Sequence, residues 1–136
     1  LGAEAGFLTG AIGALVSNFV FGQGPWTPWQ MFAFGLAGFI AGLLAEKGFL
    51  KPEKRLPVAL FGGLFIFLII GPLLDTSSIF LMTAVTNADM SIMAIYLAGI
   101  PVNALHALTV AVTLFLLCRP VCEKLDRIKV KYGLMQ

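Results

Sequence analysis

Three long stretches of the chain carry no charged side chain: Ala5 to Ala45, Leu56 to Leu74 and Met90 to Cys118. A helix needs ~20 residues to cross a hydrocarbon core of ~30 Å. The first stretch is therefore long enough for two crossings, and each of the others for one. Of the 136 residues, 59% are hydrophobic and 12% charged, against the ~25% charged residues of soluble domains. A soluble domain of this size would lack the polar residues to cover its core. Apolar dominance excludes disorder. A net charge of +2 is too small for an electrostatic footprint on nucleic acid. The composition describes an integral membrane protein whose surroundings are the lipid bilayer.

The first stretch is broken by Gly22-Gln23-Gly24-Pro25-Trp26-Thr27-Pro28-Trp29-Gln30. Two prolines and two glycines so close together end one helix and start another. Backbone groups in lipid must be bonded internally, which selects helices, and the runs do not alternate as barrel strands do. The expected fold is an all-α transmembrane helix bundle over residues 1–118, with four spans at about 3–22, 30–46, 57–74 and 91–118, followed by an amphipathic tail over 119–136.

Lys and Arg set the expected orientation. All nine lie in the 46–56 connection or beyond Cys118, and the connections 22–30 and 75–90 have none. Two spans separate the basic loop from the basic tail, so both fall on one side, the cytoplasmic one by the positive-inside rule. The Trp-Pro turn and the Asp75–Asp89 segment then share the outer face, and the chain is a multi-pass cell-membrane protein with a cytoplasmic C-terminus. Residues 76–90 are too short to span and are expected to form a loop on the bilayer surface, with an interfacial helix or folded lid as the alternative. In the tail, Val121, Leu125, Ile128 and Tyr132 recur at helical spacing and predict a surface helix that anchors the last span. Cys118 and Cys122 sit at the reducing end, have no His nearby and are read as packing residues, not as a metal site. Because the chain starts at Leu1, with Glu4 at the very end of a span, it is expected to be a piece of something longer.

Small residues recur on one face of each of the first two helices: Gly6, Gly10, Gly13 and Ser17, then Gly35, Gly38, Gly42 and Ala45. Such faces let helix backbones approach closely, either within the bundle or in sliding contact with another subunit. Polar residues inside spans are costly unless partnered or facing a cavity. The last helix carries Tyr96, Gly99, Asn103 and His106 on one face. An Asn and a His one turn apart offer donors and acceptors to a neutral polar ligand, to each other or to a neighbouring span. Asn18 and the Gln23–Gln30 turn are placed to close over the same cavity. Trp26 and Trp29 suit either an interfacial belt or an aromatic wall over a flat, partly polar ligand. The sequence lacks a P-loop, HExxH, G-x-S-x-G or an acidic metal cluster, so no enzyme chemistry, metal or cofactor is expected, and any ATP-derived power must come from elsewhere.

The segments Gly2–Gly10, Ser17–Phe32 and Gly35–Gly38, with Gly22-Gln23-Gly24-Pro25-Trp26-Thr27-Pro28-Trp29-Gln30-Met31-Phe32 the most specific, resemble the substrate-binding S components of energy-coupling-factor (ECF) transporters. Gly99-Ile100-Pro101 and Leu105-His106-Ala107 look like the same group, and the resemblance is weakest over 51–90. It implies a six-helix bundle with both ends cytoplasmic, of which these four spans would be the last four. It also implies capture of a vitamin or related micronutrient from outside, and docking on a transmembrane coupling subunit driven by two cytosolic ATPase subunits. The expected substrate-binding residues are Asn18, Gln23, Trp26, Trp29, Gln30, Tyr96, Asn103 and His106, which suit an aromatic or amide-bearing molecule better than an ion; a cobalamin precursor, a flavin or another vitamin would each fit. The rival reading is a structural or assembly subunit of another membrane complex. A membrane enzyme is the third and has the least support, for want of a nucleophile–base pair.

Overall fold

The computed structural model describes residues 2–86 and 91–133, and every regular element among them is helical. The order is α1 (Gly2–Phe21), α2 (Thr27–Glu46), α3 (Arg55–Phe65), a π-helical turn (Ile66–Ile70), α4 (Gly71–Thr86) and α5 (Ile92–Tyr132). With α3, the π turn and α4 running as one rod, four helical segments are long and apolar enough to cross a membrane.

Glycine and proline punctuate these helices where the chain must turn. Gly22, at φ 112°, closes α1 in a conformation that L side chains rarely adopt. Pro28 opens α2, where a missing N–H costs nothing. At the far end of α2, Gly48 has φ 76°. Its N–H bonds Ala45 O at 3.0 Å and that of Phe49 bonds Leu44 O at 2.9 Å, satisfying the last carbonyls.

The bundle is built of two helix pairs. In the first, the small-residue faces of α1 and α2 meet each other. A Cβ at Gly6 would strike the carbonyl of Gly38, one at Gly38 the carbonyl of Gly6, and one at Gly10 the carbonyl of Phe34. This is the within-bundle use of those stripes, although Gly13 faces open space and Ser17 is exposed. In the second pair, α3 lies on α5 through Gly63, where a Cβ would stand 3.1 Å from Ala111 Cβ and 3.2 Å from Ala107 O. The pairs join at a small core of Ala33, Ile66, Ile70 and Ala107, with Phe34, Phe65 and Leu73 packed around it. Large apolar side chains such as Phe19 and Val20, more than 70% exposed, face outwards, as lipid solvation permits.

Two expectations are corrected. The outer segment 76–90 is not a surface loop as far as Thr86: it continues the third span as α4, and residues 87–90 lie outside the described residues. Asp75 ended the uncharged run and so marked the expected end of the span, and Thr76, Ser77 and Ser78 follow it. Instead the hydroxyls bond back into the preceding turn, Thr76 Oγ1 to Pro72 O at 2.7 Å, Ser77 Oγ to Leu74 O at 2.7 Å and Ser78 Oγ to Leu74 O at 3.1 Å. Their polarity is absorbed locally and the helix goes on. The tail also packs on a different stripe. Residues 119–132 extend α5 without a break through Pro120. The half-buried side chains are Cys118, Cys122, Leu125 and Lys129, whereas Val121, Ile128 and Tyr132 are exposed. The helix keeps the rotation set by its upper packing, so the bundle-facing stripe continues downwards from Ala107, Val110 and Leu114.

Candidate functional site

At the end of the bundle remote from the basic residues, the α1–α2 turn is held by a closed polar network. Asn18 is buried, and its Nδ2 donates to Thr27 Oγ1 at 3.2 Å and to Gln30 Oε1 at 2.7 Å. Thr27 Oγ1 donates to Gln23 Oε1 at 2.9 Å and accepts from the Gly24 N–H at 3.3 Å. The network ties the last turn of α1 to the first turn of α2 through side chains and bonds the Gly24 N–H of the connecting turn. Trp26 folds its indole over Gly24, where any side chain would collide with the ring. Trp29 instead reaches across to α4, its ring centroid 6.4 Å from that of Phe80 in a tilted pair.

Between this turn and α4 lies an open cavity of about 450 Å³. One wall is Pro25, Trp26 and Gln30; the other is Ser78, Leu81, Met82 and Val85. The second wall recurs at steps of three, one and three, which is one face of a helix. An aromatic plane and an amide stand opposite apolar side chains and one hydroxyl. The volume falls within the ~300–1,000 Å³ usual for small-molecule sites.

A second polar line runs down the seam between α4 and α5. Asn103 Nδ2 donates to Asp75 Oδ2 at 2.7 Å. The seam is kept open by two glycines: a Cβ at Gly71 would meet the Asn103 amide carbon at 2.6 Å, and one at Gly99 the Asp75 carboxylate at 2.5 Å. About two turns higher on α5, the Tyr96 hydroxyl is 2.7 Å from that of Thr76. Thr76 gives its only proton to Pro72 O, so Tyr96 is the donor in that pair. His106 is half-buried and packs edge-on against Phe34 of α2, centroids 5.7 Å apart.

The eight residues singled out in the sequence thus divide into two groups. Trp26 and Gln30 line the cavity, Trp29 flanks it, and Asn18 and Gln23 stand behind Gln30 in the turn network. Tyr96, Asn103 and His106 lie along α5 outside its lining, and Asn103 and His106 bond to or pack on other helices instead of pairing with each other. Asp75, Thr76 and the α4 wall were missed. The helical spacing of Ser78, Leu81, Met82 and Val85 was the available signal.

No curated protein and no solved structure matches the chain. A family model described as the ECF-type riboflavin transporter S component matches residues 1–122. It spans both helix pairs and the whole cavity lining. The chain is therefore a multi-pass membrane protein of the ECF-type riboflavin transporter S-component family, the substrate-capture subunit of a vitamin-uptake transporter.

Proposed function

We propose that this chain captures riboflavin itself from the outer face and performs no covalent chemistry. The observation that carries this reading is the cavity between Trp26 and α4: a flat aromatic wall, an amide and an apolar face, open at the end of the bundle that has no Lys or Arg. A three-ring, imide-bearing ligand has the chemistry to match. Trp26 stacks on the ring system, with Trp29 holding the far side through Phe80. Gln30, backed by Asn18 and Gln23, hydrogen-bonds the polar edge. Tyr96, Asn103 and His106 extend the polar lining down α5 for a ligand that inserts between the helix pairs.

In this orientation the basic 46–56 connection and the tail over 119–136 face the cytoplasm of a prokaryotic cell. The partners are a transmembrane coupling subunit and two cytosolic ATPase subunits, which supply the energy this chain has no motif to supply.

Quenching of riboflavin fluorescence by the purified protein in detergent tests the proposal. The native chain should bind riboflavin in preference to thiamin or biotin. Trp26→Ala should weaken binding by roughly 10- to 100-fold, the worth of one stacked ring at ~1–3 kcal/mol. Riboflavin affinity unchanged in both Trp26→Ala and His106→Ala would remove the site assignment. Equal affinity for all three vitamins would remove the substrate.

A further inference from the structure

Below the shared core the two helix pairs part. α2 approaches the third span at the π turn and α4, not along α3. The wedge left between α2, α3 and α5 is a wholly apolar cleft of about 340 Å³. Ala41 and Ala45 form a shallow wall on α2, and Leu114 and Cys118 one on α5. Phe61 and Phe65 of α3, stacked at 5.6 Å, line the third side. At the basic end the cleft shares Ala45, Leu50, Pro52 and Cys122 with a second cavity of about 460 Å³, which ends on Glu46, Asp126 and Lys129. Lys129 Nζ stands 3.4 Å from Asp126 Oδ1. Glu46 has no ion-pair partner among the described residues.

The space is thus oily along most of its length and finishes on two carboxylates and one ammonium. Its volume and apolar lining suit one acyl chain. The charges at its mouth choose the head. A purely anionic head would face two carboxylates with a single cation, itself already paired. A trimethylated head has no N–H to donate. A head with both a phosphate and a primary ammonium satisfies all three groups, the phosphate at Lys129 and the ammonium at Glu46 and Asp126. We infer that this cleft binds one aminophospholipid, of the phosphatidylethanolamine type, with an acyl chain wedged between the helix pairs.

The test uses the purified chain in detergent, stripped of lipid and supplied with phosphatidylethanolamine, phosphatidylcholine or phosphatidylglycerol of identical acyl chains. Bound lipid is counted by native mass spectrometry. One phosphatidylethanolamine should remain bound, with the other two held about tenfold more weakly, the worth of one charge-assisted hydrogen bond. Combining Glu46→Gln with Asp126→Asn should reduce phosphatidylethanolamine to the level of phosphatidylcholine while leaving riboflavin binding unchanged. Ala41→Leu, which fills the wedge, should abolish retention of all three. Equal retention of the three heads, or none by the native chain, overturns the inference. So does an Ala41→Leu chain that keeps its lipid but no longer joins the coupling subunit, because the cleft would then be a protein-docking groove.

Discussion

The α1–α2 pair and the α4–α5 seam above the second pair are held together by different physics. In the first, backbone lies on backbone: Gly6, Gly10 and Gly38 leave no room for a side chain, and the turn is sealed by the Asn18 network. In the second, contact is made through side-chain hydrogen bonds, Asp75 with Asn103 and Thr76 with Tyr96, across gaps that Gly71 and Gly99 keep open. Lipid removes the hydrophobic drive between helices, so a pair is held by close dispersion contact or by polar groups that hydrocarbon cannot satisfy. The first device tolerates no separation. The second can break and re-form one bond at a time, and α4 is the wall that faces the ligand cavity.

The contrast is tested most severely at Gly38. Gly38→Leu drives a side chain into the Gly6 carbonyl and should cost about 3 kcal/mol, the upper end of overpacking penalties. Gly13→Ala, facing open space, should leave the unfolding midpoint in detergent unchanged or slightly raised. If the two variants melt alike, close backbone contact is not what holds this pair. Next comes Asn18→Ala, which strips the buried donor from Thr27 and Gln30 and should cost ~1–3 kcal/mol, with the Trp26 emission maximum shifting as the turn loosens. Tyr96→Phe should cost less, ~0.5–1.5 kcal/mol, since Thr76 keeps its bond to Pro72. Its larger consequence should be faster amide hydrogen exchange in α4 with none in α2. Equal acceleration in both helices would mean that the pairs are not independent.

The smallest effect is expected beyond the last span. There Arg119 Nε and Glu123 Oε1 form an exposed i,i+4 pair at 2.7 Å. The hydrogen bond from Arg119, helped by its charge, holds the Glu123 carboxyl below its ordinary value. A depressed carboxylate contributes only above the unfolded value, and that contribution is lost as pH falls through the folded one. Glu123→Gln should therefore leave the midpoint at pH 7 within error and alter only the acid limb of a pH–melting curve.

The membrane class, the helical bundle and the break at Gly22–Gln30 were legible because charge exclusion and Gly/Pro punctuation are local signals. The small-residue stripes were equally plain, though which surface they meet is a tertiary fact. What was hidden shares a single cause. Asp75 looked like the end of a span because a carboxylate in lipid is expensive, but its cost is offset by Asn103, 28 positions away. The bundle-facing stripe of the tail was hidden for the same reason. The apolar moment of residues 121–132 favours one face, and the rotation inherited from Ala107 and Leu114 imposes another. Asn18, Gln23, Trp26, Trp29 and Gln30 were read together because they are close in sequence. The α4 wall was not, because it was taken for a loop.

The π turn at Ile66–Ile70 carries one more residue than an α-helical turn, and both its ends are buried in the shared core. It decouples the numbering of the rod above from the rod below. Removing a single amino acid there would restore ordinary winding and swing Asp75, Ser78, Leu81 and Val85 around the axis together, while Gly62 and Gly63 stayed seated on α5. Asp75 would be carried away from Asn103, so one extra residue inside the core sets the facing of the whole upper rod.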